Sequence, residues 1–98
     1  MLFLIYQLVC YHQQLLKDLN QIEYYIEALA RNPYLAQALN NIAVIYHARA
    51  QQAIEQNKWT ISVGLFVRAI SYWKEALRVA PNNYIEAQNW INSVVNND

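Results

Sequence analysis

Ninety-eight residues leave room for one domain with one core, which excludes an enzyme built from separate catalytic and regulatory parts. Seven Lys and Arg balance seven Asp and Glu, so the chain lacks the basic excess that phosphate backbones demand, and nucleic acid is not expected as a partner. The composition is 56% hydrophobic and 13% aromatic, with one Gly and two Pro; it can fill a core but leaves little for hairpin turns or phosphate loops, which points to an all-α fold.

The first eight residues are mostly apolar, yet they carry no positively charged segment and no small-residue cleavage site. Gln7, His12, Gln13 and Gln14 interrupt the run and Lys17 and Asp18 end it, short of the roughly 20 apolar residues a bilayer span requires. An amphipathic helix is expected there instead. Apolar spacing predicts helices over 4–16 and 21–31, joined near 17–20 and closed by Asn32-Pro33. Cys10 has no internal disulfide partner and no second cysteine for a metal knuckle, in keeping with a reducing compartment. A longer helix is predicted over 35–56, with Leu39, Ile42, Ala43, Tyr46, Ala50, Ala53 and Ile54 on one side and Asn40, Asn41, His47, Arg49 and Gln51 elsewhere. From Trp59, the bulky residues Val63, Phe66, Ile70, Trp73 and Leu77 follow at steps of four and three, beside small Gly64, Ala69, Ala76 and Ala80 that would admit a close neighbour. Pro81 ends this helix, and Ala87, Trp90, Ile91 and Val94 place a fifth over 84–95.

The pattern repeats. Tyr24-Tyr25-Ile26-Glu27-Ala28-Leu29 with Pro33 returns as Tyr72-Trp73-Lys74-Glu75-Ala76-Leu77 with Pro81, an offset of 48 positions. These match packing positions of the tetratricopeptide hairpin, whose repeat of about 34 residues reads W-x2-L-G-x2-Y, then A-x3-F, then P. Ile5, Leu8, Val9, His12, Gln21, Tyr25, Ala28 and Pro33 supply one unit, and Leu39, Ile42, Ala43, Tyr46, Ala69, Trp73, Ala76 and Pro81 a better one. An excess of about 14 residues between Tyr46 and Ala69 would lengthen each helix of the second hairpin by about two turns. Val9 and Gln21 stand where the pattern has small residues, so looser packing is expected in the first hairpin. The expected organisation is a single tetratricopeptide domain: repeat one over about 2–35, an elongated repeat two over about 36–83 and a capping helix over about 84–95, in a right-handed solenoid.

Several strings go beyond the generic repeat: Ala28-Leu29 with Arg31-Asn32-Pro33; Gln37-Ala38 with Asn40-Asn41 and Ala43-Val44-Ile45; Gln52-Ala53-Ile54; Tyr72-Trp73-Lys74; and Asn83-Tyr84-Ile85-Glu86-Ala87-Gln88-Asn89-Trp90. Together they resemble the tetratricopeptide photosystem I assembly factor of chloroplasts and cyanobacteria. The resemblance is strong over about 27–92 and weak over 1–23. It implies a non-catalytic, chaperone-like scaffold that binds photosystem I subunits and promotes their assembly, peripherally attached to the stromal side of the thylakoid membrane. Members of this family have further repeat sequence at the N-terminus, so the chain is expected to be truncated there. Two alternatives are a generic tetratricopeptide adaptor and a truncated fragment that self-associates through its exposed N-terminal helix.

Placed on the sequence, the repeat register directs Phe3, Tyr6, Cys10 and Gln13, then Gln37, Asn40, Asn41, Val44 and His47, then Ile85, Gln88, Asn89 and Asn92 towards the concave face where such proteins hold a partner peptide. Of these, Phe3, Tyr6, Gln37, Asn40, Asn41, Val44, His47, Gln88 and Asn89 form the expected partner-binding groove. It is neutral and amide-rich, suited to hydrogen-bonding a peptide backbone, and it lacks the Lys and Arg of a carboxylate clamp. Asn40 and Asn41 fit partner contact and hydrogen bonding between helices equally well. Tyr25, Tyr46, Trp73 and Trp90 are expected to be core wedges. No catalytic site, cofactor or metal is expected: Cys10 and His12, two apart on a helix, point to different sides, and His47 has no ligand partner at metal spacing.

Overall fold

Proline denies the preceding residue a helical conformation and removes a backbone donor, and helices end where Pro33 and Pro81 stand. A computed structural model describes residues 2–82, 89 and 91–93, apart from the side chains of 3, 4 and 7. It contains three long helices, α1 (Leu2–Arg31), α2 (Ala36–Glu55) and α3 (Trp59–Val79). With no strand among the described residues, the fold is all-α.

Each turn follows from its own residues. After α1, the side-chain oxygen of Asn32 accepts the Tyr34 backbone N–H at 3.1 Å, an Asx turn that redirects the chain around Pro33. After α2, Asn57 adopts φ 60°, the left-handed conformation that Asn tolerates better than most residues. The Asn57 N–H then reaches the carbonyl of Ile54 at 2.9 Å and the Lys58 N–H that of Ala53 at 2.8 Å, the paired bonds of a Schellman cap. The Ser62 N–H donates to the Lys58 carbonyl at 3.0 Å and opens α3.

α2 and α3 form the elongated hairpin expected from the sequence, at 20 and 21 residues. Small residues recur every seventh position on their facing sides: Ala43 and Ala50 on α2, and Ser62, Ala69 and Ala76 on α3, all essentially inaccessible. The hairpin therefore packs closely along its whole length, with Ile42 and Leu39 filling the remaining space on α2. This seam differs from the bulky stripe read from the sequence. Trp73 is buried, but Trp59 and Val63 are 60% and 62% exposed, because the small residues beside the stripe face α2. Gly64, expected among those small contacts, lies on the open side with nothing within 4 Å.

The break expected near 17–20 is absent, and residues 2–31 are one helix of 30 residues. Lys17-Asp18-Leu19-Asn20 contains neither Gly nor Pro, and the Gln14 side-chain amide donates to Asp18 at 2.9 Å across that stretch, an i,i+4 bond that supports continuation. Residues 2–31 therefore present one long rod to α2 where the sequence led to a closed hairpin.

Of the expected capping helix, Asn89 and residues 91–93 are described and helical; 83–88, 90 and 94–98 lie outside the described residues. Ile91 joins Ala43, Ala69 and Trp73 in one buried cluster, with Tyr46, Tyr72 and Leu77 packed against it. No helix among the described residues is long and apolar enough to cross a membrane.

Candidate partner-binding surface

α2 lies between the other two helices, and two adjacent asparagines tie it to both. The Asn40 side-chain oxygen accepts the indole N–H of Trp73 at 3.0 Å, and the Asn41 side-chain amide donates to the Tyr25 hydroxyl at 3.2 Å. Tyr25 and Trp73 occupy equivalent places in the repeated sequence string, so each flanking helix offers α2 the same kind of aromatic with a polar tip. Both asparagines thus bridge helices. Each has hydrogen-bonding capacity beyond the single bond described, since a side-chain amide offers two donors and two acceptor sites.

Gln37, Asn40, Asn41, Val44 and His47 share one face of α2 through steps of three and four. Gln37 and Val44 are exposed, while Asn40, Asn41 and His47 are half-buried. The His47 ring sits against Phe66 and Trp73, with centroids 5.5 and 5.4 Å away. Burial there disfavours the charged imidazolium and lowers its pKa below the usual 6.5. The face is therefore uncharged near neutral pH, with an apolar rim at Val44 and amides at Gln37, Asn40 and Asn41. Elsewhere, Tyr6 is exposed on α1, and Asn89 is exposed two residues before the buried Ile91. Gln88, Ile85 and the Phe3 side chain lie outside the described residues.

A second concavity, of about 260 Å³, opens between α1 and α3 with α2 as its floor. Sequence reasoning did not identify it. Arg49 lines it, placed among the polar residues of α2 from the sequence but only 8% exposed. Its Nη2 lies 2.7 Å from an Asp18 carboxylate oxygen on α1, its Nη1 donates to Gln52 at 2.7 Å, and its guanidinium stands 5.4 Å from the centroid of the Tyr11 ring. The sequence does carry a signal: Ile42, Tyr46, Arg49 and Ala53 recur at steps of four, three and four, so Arg49 occupies a core position. Lys58 and Arg68 also line this cleft, giving it three cations against Asp18. No group of three or more His, Cys, Asp or Glu comes together among the described residues to hold a metal ion.

With this geometry in place, comparison with known proteins gives the surface a context. The photosystem I assembly protein Ycf3 of Nephroselmis olivacea is 68% identical over 63 residues, covering 64% of this chain and 37% of the relative. The protein of the same name from Cyanophora paradoxa is 57% identical over 70 residues, 71% of this chain and 40% of its own length. The Oltmannsiellopsis viridis protein is 62% identical over 68 residues, 69% of this chain and 41% of the relative. The family this chain resembles is Ycf3. The chain spans about two fifths of the length of these relatives, and the match falls in their C-terminal portion. No protein-family model matches the chain, and no solved structure is similar to it.

Proposed function

We propose that the chain is a non-catalytic scaffold that binds photosystem I subunits and promotes photosystem I assembly at the thylakoid membrane of a chloroplast, held peripherally on the stromal side. The identity of 57–68% to Ycf3 proteins over about two thirds of the chain is the observation that carries this reading. The uncharged amide-rich face of α2 is the surface proposed to hold a subunit segment, with Gln37, Asn40, Asn41, Val44 and His47 as its residues and Tyr6, Phe3, Gln88 and Asn89 as its extensions on either side. The division into repeat one, an elongated repeat two and a capping helix belongs to the same proposal.

The test must use residues that do not hold helices together. Asn40 and Asn41 bridge to Trp73 and Tyr25, so replacing them perturbs packing as well as binding. Gln37 and Val44 are exposed, and Gln37→Lys with Val44→Glu places charge on the face while leaving the core intact. Pull-down from thylakoid extract with the parent chain is expected to recover photosystem I subunits, and the double variant, with unchanged helicity by circular dichroism, to recover about tenfold less. Equal recovery by both would remove the α2 face from the proposal, and no recovery by the parent would remove the assembly role.

A second reading, self-association through α1, is favoured by a specific observation. Leu2, Ile5, Val9, Leu16, Leu19 and Ile26 are between 47% and 85% exposed along one helix, an apolar strip unusual for a solvated surface.

A further inference from the structure

We propose that α1 pairs with α1 of a second copy in antiparallel orientation, in the register that sets His12 of one protomer against Glu23 of the other. This rests on the self-association just proposed and adds its geometry. Val9, His12, Leu16, Leu19, Glu23 and Ile26 follow one another at alternating steps of three and four, the spacing that keeps one seam turned to a partner helix. All six are exposed. α1 attaches to its own chain by a different seam: Tyr11, Leu15, Asp18, Ile22 and Tyr25 are partly or wholly buried, and Asp18 and Tyr25 bond to α2. The exposed seam is thus available while α1 stays docked.

The two polar residues select the orientation. In a parallel pair every seam residue meets its own copy, so Glu23 would face Glu23 across an otherwise apolar contact, a like-charge arrangement that opposes association, and His12 would meet only its own copy. In an antiparallel pair with its two-fold axis between residues 17 and 18, Val9 meets Ile26, His12 meets Glu23 and Leu16 meets Leu19, each twice. Apolar groups then meet apolar groups, and the two polar groups meet one another. Sliding the helices by one step of the seam sets the Glu23 carboxylate against Leu16 in one direction and Val9 in the other, without a polar partner. Only a helix pair of about 26 Å is formed, so the interface is small and the dimer weak.

Sedimentation velocity on the full chain from about 1 to 500 µM, a span chosen for a small interface, reads the outcome. The parent chain is expected to pass from monomer to dimer. His12→Glu alone, which sets two carboxylates against one another, is expected to weaken the dimer about tenfold or more, Glu23→Lys alone, which takes the carboxylate partner from His12, to weaken it about threefold or more, and the double variant, which restores an opposite-charge pair, to bind at least as tightly as the parent. Both positions are exposed, so helicity by circular dichroism stays unchanged. A parent chain that remains monomeric at the top concentration overturns self-association itself. A dimer indifferent to Glu23→Lys, or one that the double variant fails to restore, leaves self-association standing and overturns the antiparallel register.

Discussion

His47 shows how one side chain links the α2 face to the core. Its ring is wedged against Phe66 and Trp73, and desolvation lowers its pKa from the ordinary 6.5. Between the ordinary and the lowered value the unfolded chain takes up a proton that the folded chain refuses, so folding stability is greatest above about 6.5 and falls as the pH drops through that range. His47→Phe keeps a ring in the wedge and removes the titration. Thermal melts of both proteins between pH 7.5 and 5, a range chosen around the ordinary imidazole value, should show a steeper fall for the parent chain. Parallel curves would mean that His47 is free to protonate in the folded state. Arg49 illustrates the opposite electrostatic solution at the same scale: a buried charge kept by Asp18, Gln52 and the Tyr11 ring.

At the scale of elements, the α2–α3 hairpin depends on a turn of three residues whose critical member is Asn57. At φ 60° the Cβ of an ordinary residue costs roughly 1 kcal/mol, a strain that Asn offsets by local hydrogen bonding of its amide, so Asn57→Ala is expected to cost about that much in urea unfolding while Asn57→Gly is neutral or slightly stabilising. If Ala and Gly behave alike, the left-handed cap is not what holds the turn. Much of this hairpin was legible in the sequence: Pro33 and Pro81 gave its outer bounds, and the excess residues between Tyr46 and Ala69 gave its length. The seam was less so. Bulky periodicity pointed to Trp59 and Val63, but close helix approach is set by the smallest residues, and Ser62, Ala69 and Ala76 took the core while the large residues next to them turned outward. The continuity of α1 was missed for a related reason. A polar string such as Lys17-Asp18-Leu19-Asn20 breaks a helix only if it contains a breaker, and Asp18 is instead held by Gln14 and Arg49. The Asn40–Asn41 pair was legible as a site but not in its detail, because the sequence does not show which of two neighbouring amides meets Trp73 and which meets Tyr25.

Across the whole molecule, the three helices are unequally attached. α2 and α3 share a continuous buried seam closed by Ile91, whereas Ile22 is the one buried apolar residue of α1 among the described residues. α1 is otherwise secured by Asp18 to Arg49 and by Tyr25 to Asn41. Since regions with few buried contacts open before the rest, α1 is expected to undock as a unit while the hairpin stays folded. Arg49→Ala isolates this step: it leaves Asp18 partly buried without its cation, a change that costs about 3 kcal/mol for a buried pair. Native-state hydrogen exchange, read at a concentration where association is not detected, should show faster exchange for the amides around Asp18 and Ile22 than for those around Ala43 and Ala69. In Arg49→Ala the α1 amides should lose protection by that amount while the α3 amides keep most of theirs. A uniform loss in all three helices would show that the chain unfolds as a single cooperative body. If the α1 pairing holds, raising the concentration should restore α1 protection first, because the seam from Val9 to Ile26 then has a partner and the hairpin gains nothing directly from it.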